Sequence, residues 1–311
     1  MADGRFAPSP TGSLHVGNLR TALLAWLFAR AEGGRFLIRV EDLDPVSSRE
    51  HLVDEQLADL AALGLDHDGP IIRQSDPNVR ARHESAVSAL DDTGLLYPCF
   101  CTRREVAEAA WAAHGPLPEG AYPGTCRDLT LDQRAERAAE RADRGPAWRV
   151  RADLAEVTVV DRVAGEHTGV VDDFVVRRGD GVPAYNLAVV VDDAAQGIEE
   201  VVRGDDLLEG TPRQVWLHRV LGLDVPSYAH VPLVLGPDRE RLAKRHGSVS
   251  LSELVAAGRT PEQLVGAMGE SLGLASTSET ATPESLLDRF DPDAVRRDPW
   301  VFDPPGDSAD H

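Results

Sequence analysis

Apolar residues at Leu19, Leu23, Trp26 and Leu27 recur at the spacing of one helix face, which predicts a helix from about 19 to 31. Gly33 and Gly34 end it. Ahead of that helix, the short segment 4–7 runs into a proline-rich turn at 8–12. Behind it, residues 36–40 are mostly apolar, as a buried strand is. Strand, turn, helix, strand is one β-α-β unit, so the expected fold class is α/β with a nucleotide-binding sheet. Helical spacing returns at 49–63 and 80–93. The stretch from 96 to about 146 differs. It holds all three cysteines, a Gly/Pro-rich patch at 115–124, and a helix near 132–143 whose alternating Arg and Glu suit a solvated face. We read it as an insertion. Strand-like runs resume at 148–150, 157–160, 170–176 and 187–191. From 212 onward the chain reads as mainly helical, and its last dozen residues as a frayed polar end. The expected division is therefore 1–95 and 148–235 as two halves of a catalytic domain, 96–147 as the insertion, and 236–311 as a loop with a short helical end.

Composition narrows the function classes. Thirty-two basic against fifty-two acidic residues leave a net charge of −20 over 311 residues. Such a chain does not coat nucleic acid non-specifically, since neutralising phosphates needs a surplus of Lys and Arg, although a local basic site is compatible with it. No long apolar run appears, so no membrane span is expected. The start lacks the basic and apolar regions of a signal peptide. Three cysteines are too few for a disulfide framework, which suits a reducing, cytoplasmic setting.

Candidate chemistry begins at residues 12–18, Gly-Ser-Leu-His-Val-Gly-Asn, between a strand and a helix. A helix start points free N–H groups and a positive dipole end at the turn, a ready phosphate site. Gly12 and Gly17 let the backbone approach a ligand closely. His15 at the helix entrance can donate to phosphate oxygens as they gain charge. Cys99-Phe-Cys101 and Cys126 supply three soft ligands, which with one more would suit a tetrahedral, structural Zn²⁺. His114 is the chemically ordinary fourth candidate.

The run Arg5-Phe-Ala-Pro-Ser-Pro-Thr-Gly-Ser-Leu-His-Val-Gly-Asn-Leu-Arg resembles the opening of glutamyl-tRNA synthetases, with their version of the class I "HIGH" motif. Asn18 stands at that motif's second histidine. Arg39-Val-Glu-Asp-Leu-Asp44 resembles the family's R-x-E-D-x-D segment, and the stretch from Arg203 to Gln214 resembles its R-G-x-D … T-P-R-Q segment. Arg241-Leu-Ala-Lys-Arg245 lies on the second signature, "KMSKS", with Arg241 for its first lysine and Ala243 for its serine. The resemblance implies a Rossmann-like class I catalytic domain that activates L-glutamate with ATP, Mg²⁺ offsetting phosphate charge. It places ATP on Gly12, His15, Gly17, Asn18 and Lys244, with His15 and Lys244 catalytic. Glutamate falls on Arg5, Phe6, Ala7, Pro8, Ser9, Glu41, Tyr185 and Arg203. By charge, Glu41 meets the ammonium while Arg5 and Arg203 meet carboxylates. For zinc, the resemblance points to Tyr122 as the ligand beside Cys99, Cys101 and Cys126. Only 67 residues follow Lys244 (311 − 244), too few for the family's helical anticodon-binding half. That architecture resembles the family's short branch, which transfers glutamate to the queuosine base at the wobble position of tRNA(Asp). The expected partners are accordingly glutamate, ATP and queuosine-bearing tRNA(Asp), with a monomeric protein. The alternatives are a truncated synthetase charging tRNA(Glu), and a non-catalytic paralogue that only binds tRNA or a partner.

Overall fold

The computed structural model describes residues 1–112, 121–142, 144–242 and 249–304. In chain order they form β1 (Gly4–Phe6), α1 (Val16–Ala31), β2 (Phe36–Val40), α2 (Glu50–Ala62), β3 (Ile72–Arg73), α3 (Pro77–Asp92) and β4 (Leu96–Cys99). Next come α4 (Arg103–Ala112), α5 (Leu131–Glu140), β5 (Ala147–Val150), β6 (Ala155–Asp161), β7 (Gly165–Val171), β8 (Val175–Arg177), α6 (Tyr185–Gln196) and β9 (Glu200–Gly204). A 3-10 turn over 205–210 leads into α7 (Thr211–Val220), β10 (Ser227–Val231), β11 (Val234–Leu235), α8 (Leu251–Ala256), α9 (Pro261–Leu272), α10 (Pro283–Leu287) and β12 (Trp300–Val301).

The main sheet has strand order β3-β2-β1-β9-β10-β6-β7, parallel throughout except for the β6–β7 hairpin. The order reverses between β1 and β9, and in open α/β sheets the ligand crevice lies beyond the carboxyl ends of the strands at such a switch point. A separate antiparallel sheet, β4-β5-β8, carries the cysteine segment.

Helix α1 covers one face of the sheet. Eleven of its sixteen residues are buried, so it is apolar nearly all round: the sheet lies on one side and the C-terminal helices on the other. Arg20, itself buried, donates to Ser271 Oγ at 2.9 Å and to the Pro232 carbonyl at 2.9 Å, tying α1 to α9 and to the exit of β10. Helices α3, α6 and α7 cover the other face.

Several sequence expectations change here. The first helix starts at Val16, before the apolar periodicity begins, because His15 caps it. Residues 187–191, read as a strand, form the buried core of α6. Their run Leu-Ala-Val-Val-Val favours strand locally. Burial of Leu187 through Asp193 against the sheet overrides that preference, and Gly197 closes the helix in the left-handed region at φ 68°. The run at 170–176 is two strands, separated by buried Asp172 and Asp173. The part from 212 onward also contains β10, the strand beside β9, and β12 pairs with β11 within the supposedly frayed end; residues 305–311 lie outside the described residues.

Candidate active site

Arg5 and Phe6 end β1, Glu41 follows β2, Arg203 sits near the end of β9 and His230 near the end of β10, so the switch point gathers all of them at one edge of the sheet. A cavity of about 250 Å³ lies there, lined by Arg5, Glu41, Tyr185 and Arg203 on one side and by His15, Gly17 and Asn18 on the other. Two neighbouring cavities meet it at Glu41 and Tyr185. One, of about 500 Å³, runs along Phe6, Ala7, Pro8, Ser9 and Gly12. The other, of about 760 Å³, opens towards the cysteine segment. Tyr185 stands at this junction as the first residue of α6, 46% exposed.

Two groups that the sequence did not single out, Asp193 and His230, help to hold the arginines. Arg5 donates from Nε and Nη2 to Asp193 at 3.0 and 3.3 Å, and from Nη1 to the Val202 carbonyl at 3.5 Å. Arg39, fully buried, meets Asp193 at 2.6 Å and Glu41 at 3.1 Å. Burial pushes the Asp193 carboxyl up, but Arg39 and Arg5 outweigh it and hold it down at about 2. Burial also raises Glu41, with Arg39 and Arg5 pulling the other way. Arg203 donates from Nε to His230 Nε2 at 3.0 Å, from Nη1 to Gln214 Oε1 at 2.8 Å and from Nη2 to Thr211 Oγ1 at 2.9 Å. A guanidinium has five N–H groups, so two remain on Arg203 and two on Arg5 for a ligand's carboxylates.

The T-P-R-Q segment therefore has separable tasks. Thr211 and Gln214 clamp Arg203, while Arg213 reaches Asp172, which also accepts the Tyr122 backbone N–H at 2.9 Å. The R-x-E-D-x-D segment divides similarly. Asp42 accepts from Ser75 and Arg73, and Asp44 reaches Arg178 at 3.4 Å across the wall of the large cavity.

His15 and Asn18 form a capping box. The Asn18 backbone N–H donates to His15 Nδ1 at 3.3 Å, and the His15 backbone N–H to Asn18 Oδ1 at 3.1 Å. With Nδ1 accepting, a neutral His15 carries its proton on Nε2, free to donate. Burial lowers the His15 pKa and Arg241 lowers it further, which favours that neutral form. The Asn18 backbone N–H thus orients the His15 ring, while the Asn18 side chain holds the His15 backbone. Gly17 serves the same ring, since a Cβ there would come within 3.0 Å of His15 Cε1 and Nδ1. A Cβ at Gly12 would meet open space, but its carbonyl accepts from Gln56, which also braces Ser9.

Arg241, the first residue on the second signature, lines the same cavity. Arg241 pairs with Asp206, and Val249, where the described chain resumes, accepts from the Val16 N–H at 2.8 Å. Lys244 and Ala243 lie outside the described residues, as does His114.

Cys99, Cys101 and Cys126 bring their sulfurs within 4.8 Å of one another. Tyr122 Oη lies 3.5 Å from Cys99 Sγ and 3.9 Å from Cys101 Sγ, and it accepts the Cys126 N–H at 2.7 Å. Around a tetrahedral Zn²⁺ with bonds of about 2.3 Å, sulfurs sit roughly 3.8 Å apart, so three thiols and the phenol oxygen fit such an ion. Arg149 stacks on the Tyr122 ring, its Cζ 3.7 Å from the centroid. Burial raises the Tyr122 pKa, so the phenol sheds its proton only with help from a bound cation.

The chain matches the catalytic domain of class I tRNA synthetases (E and Q) over residues 2–304. It belongs to that family. It is 58% identical to the glutamyl-Q tRNA(Asp) synthetase of Nocardia farcinica, over 96% of this chain and 92% of that one. It is 48% identical to the protein of the same name from Symbiobacterium thermophilum, over 96% and 95%. Against a glutamate–tRNA ligase of Nitratidesulfovibrio vulgaris the identity is 40%, over 96% of this chain but 63% of the ligase. The solved glutamate–tRNA ligase of Elizabethkingia meningosepticum, in complex with its amino acid, superposes with a TM-score of 0.80 at 25% identity, over 97% of this chain and 67% of that one. This family member is a ligase with a class I α/β catalytic domain. Among the described residues, no helix is long and apolar enough to cross a membrane.

Proposed function

We propose that this ligase activates L-glutamate with ATP and transfers it to the queuosine base at the wobble position of tRNA(Asp), in the cytoplasm. The observation that carries the first half is the cavity at the β1/β9 switch point, where Arg5 and Arg203 each retain two N–H donors and Glu41 faces them. Two cations and one anion match the two carboxylates and one ammonium of glutamate. Support for the acceptor comes from the relatives at 58% and 48% identity, whose lengths this chain spans almost fully.

In the first step, the α-carboxylate of glutamate attacks the α-phosphorus of ATP and pyrophosphate leaves. Mg²⁺ entering with ATP offsets the phosphate charge. The neutral His15 donates from Nε2 to oxygens that gain charge during displacement, at the positive end of α1. Lys244 steadies the departing pyrophosphate. In the second step, a hydroxyl of the queuosine cyclopentene ring attacks the mixed anhydride and AMP leaves. The 760 Å³ cavity suits the incoming nucleoside: it shares Glu41 and Tyr185 with the glutamate pocket, and Arg103, Arg144, Arg149 and Arg178 line it. Positioning and electrostatics suffice for both steps, without a covalent enzyme nucleophile.

The 40% identity to a glutamate–tRNA ligase favours a second reading, charging of tRNA(Glu). Labelled glutamate, ATP and purified tRNAs separate the two. The proposal expects label on tRNA(Asp) that contains queuosine, and none on tRNA(Asp) without it or on tRNA(Glu). Charging of tRNA(Glu), or indifference to queuosine, overturns it. Absence of glutamate-dependent ATP–pyrophosphate exchange would mean a protein that only binds.

A further inference from the structure

We propose that His230 is a positioning residue for glutamate: held by Asp161 with its proton on Nδ1, it offers a bare Nε2 that aims the Arg203 guanidinium into the cavity. The inference rests on the reading that Arg203 binds a glutamate carboxylate. It extends that reading to a buried set on three adjacent strands, Asp161 on β6, His230 on β10 and Arg203 on β9.

The proton assignment follows from both ends of the ring. Asp161 Oδ2 lies 2.5 Å from His230 Nδ1, and both side chains are completely buried. Asp161 is itself fixed, because its carboxylate accepts the backbone N–H groups of Val163 at 2.9 Å, Ala164 at 2.8 Å and His230 at 3.0 Å. An ionised carboxylate only accepts, so Nδ1 carries the hydrogen. At the other end, Arg203 Nε approaches His230 Nε2 at 3.0 Å, and a guanidinium only donates, so Nε2 carries none. Burial, together with the nearby Arg203 charge, keeps the ring neutral against the pull of Asp161.

The consequence for Arg203 is an anchored Nε–H, with Thr211 and Gln214 holding one N–H on each terminal nitrogen. One N–H on each terminal nitrogen stays available, the arrangement that a carboxylate engages with two oxygens. Without an acceptor at the Nε2 position the guanidinium rotates off this aim.

The test uses the full chain and reads the KM of glutamate and of ATP in pyrophosphate exchange for four variants. His230→Ala is expected to raise the glutamate KM by about ten- to a hundredfold, the scale of a misplacement near 1 Å, with the ATP KM within about twofold. His230→Gln, which restores an acceptor near the Nε2 position, is expected to recover most of that loss. Asp161→Asn lets the ring carry its proton on Nε2, turning a donor on Arg203, and is expected to behave like His230→Ala. Equal impairment of His230→Gln and His230→Ala, or parallel shifts in both substrates' KM, would show that His230 merely supports the fold. If His230→Ala does not fold, the comparison of His230→Gln with Asp161→Asn decides: a mild and a severe glutamate defect support the inference, and two severe ones overturn it. An unchanged glutamate KM in Arg203→Ala would overturn the pocket reading itself, whereas a raised one with an unaffected His230→Ala overturns the inference alone.

Discussion

Replacing Asp193 by Asn removes one negative charge from between two buried arginines while keeping the side chain's shape. Asp193 is 5% exposed and holds Arg5 at 3.0 Å and Arg39 at 2.6 Å. Its carboxyl is lowered from 3.8 to about 2, because the attraction of Arg39 and Arg5 exceeds the cost of burial. A carboxyl lowered by folding adds stability that is complete above its unfolded value and is lost as pH falls through the folded one. Here that shift corresponds to roughly 2 kcal/mol at neutral pH. The substitution also leaves Arg5 and Arg39 without this counter-charge, and breaking a buried ion pair costs about 3–5 kcal/mol. The expected loss lies between these figures, at about 3 kcal/mol. Urea denaturation of both proteins at pH 7 measures it, and the gap between them should narrow as pH falls from about 4 towards 2. Asp193→Asn should also raise the glutamate KM, since Arg5 loses the carboxylate that orients it. A variant within about 0.5 kcal/mol of the parent at pH 7, with an unchanged KM, would refute the reasoning.

Lys244→Ala should slow adenylate formation by about a hundredfold or more while leaving glutamate binding within about twofold; equal effects on both would mean that Lys244 is not a transition-state group. Cys126→Ser should abolish zinc retention, read by metal analysis of the purified protein, and Tyr122→Phe should lower zinc affinity by more than the roughly 10- to 100-fold cost of losing an outer hydrogen-bond partner. Full zinc occupancy in Cys126→Ser would remove the cysteine cluster from consideration. Burial, with Glu55 adding to it, raises the carboxyl of Asp59 from 3.8 to about 6, so Asp59 lowers stability as pH rises through that window. Asp59→Asn should therefore stabilise the protein by about 1–2 kcal/mol at pH 7.5 and not at pH 4, as urea midpoints would show; an equal effect at both pH values would exclude a titration.

The opening strand-turn-helix was legible because its signals are local: helical spacing, a Gly-Gly stop and a mostly apolar strand. The identity of α6 was not, since its β-branched run is helical only through burial against the sheet. That misreading hid Asp193, which looks like one of two consecutive acids at the end of a strand until the helix turns it towards Arg5 and Arg39. His230 and Asp161 escaped for a related reason. Their meeting depends on β10 and β6 being neighbours, and a separation of 69 residues gives no local sign of that. The motif positions Arg5, Glu41, Tyr185, Arg203 and His15 do converge on one cavity. Asn18 shows what its motif position alone does not reveal: its side-chain oxygen accepts the His15 backbone N–H.

The central claim is that glutamate ends on a wobble base and not on a 3′ end. After incubating the protein with labelled glutamate, ATP and queuosine-bearing tRNA(Asp), nuclease digestion and chromatography locate the label. Our account predicts that it travels with the queuosine nucleoside and is absent from the 3′-terminal adenosine. Label on the terminal adenosine would contradict the account.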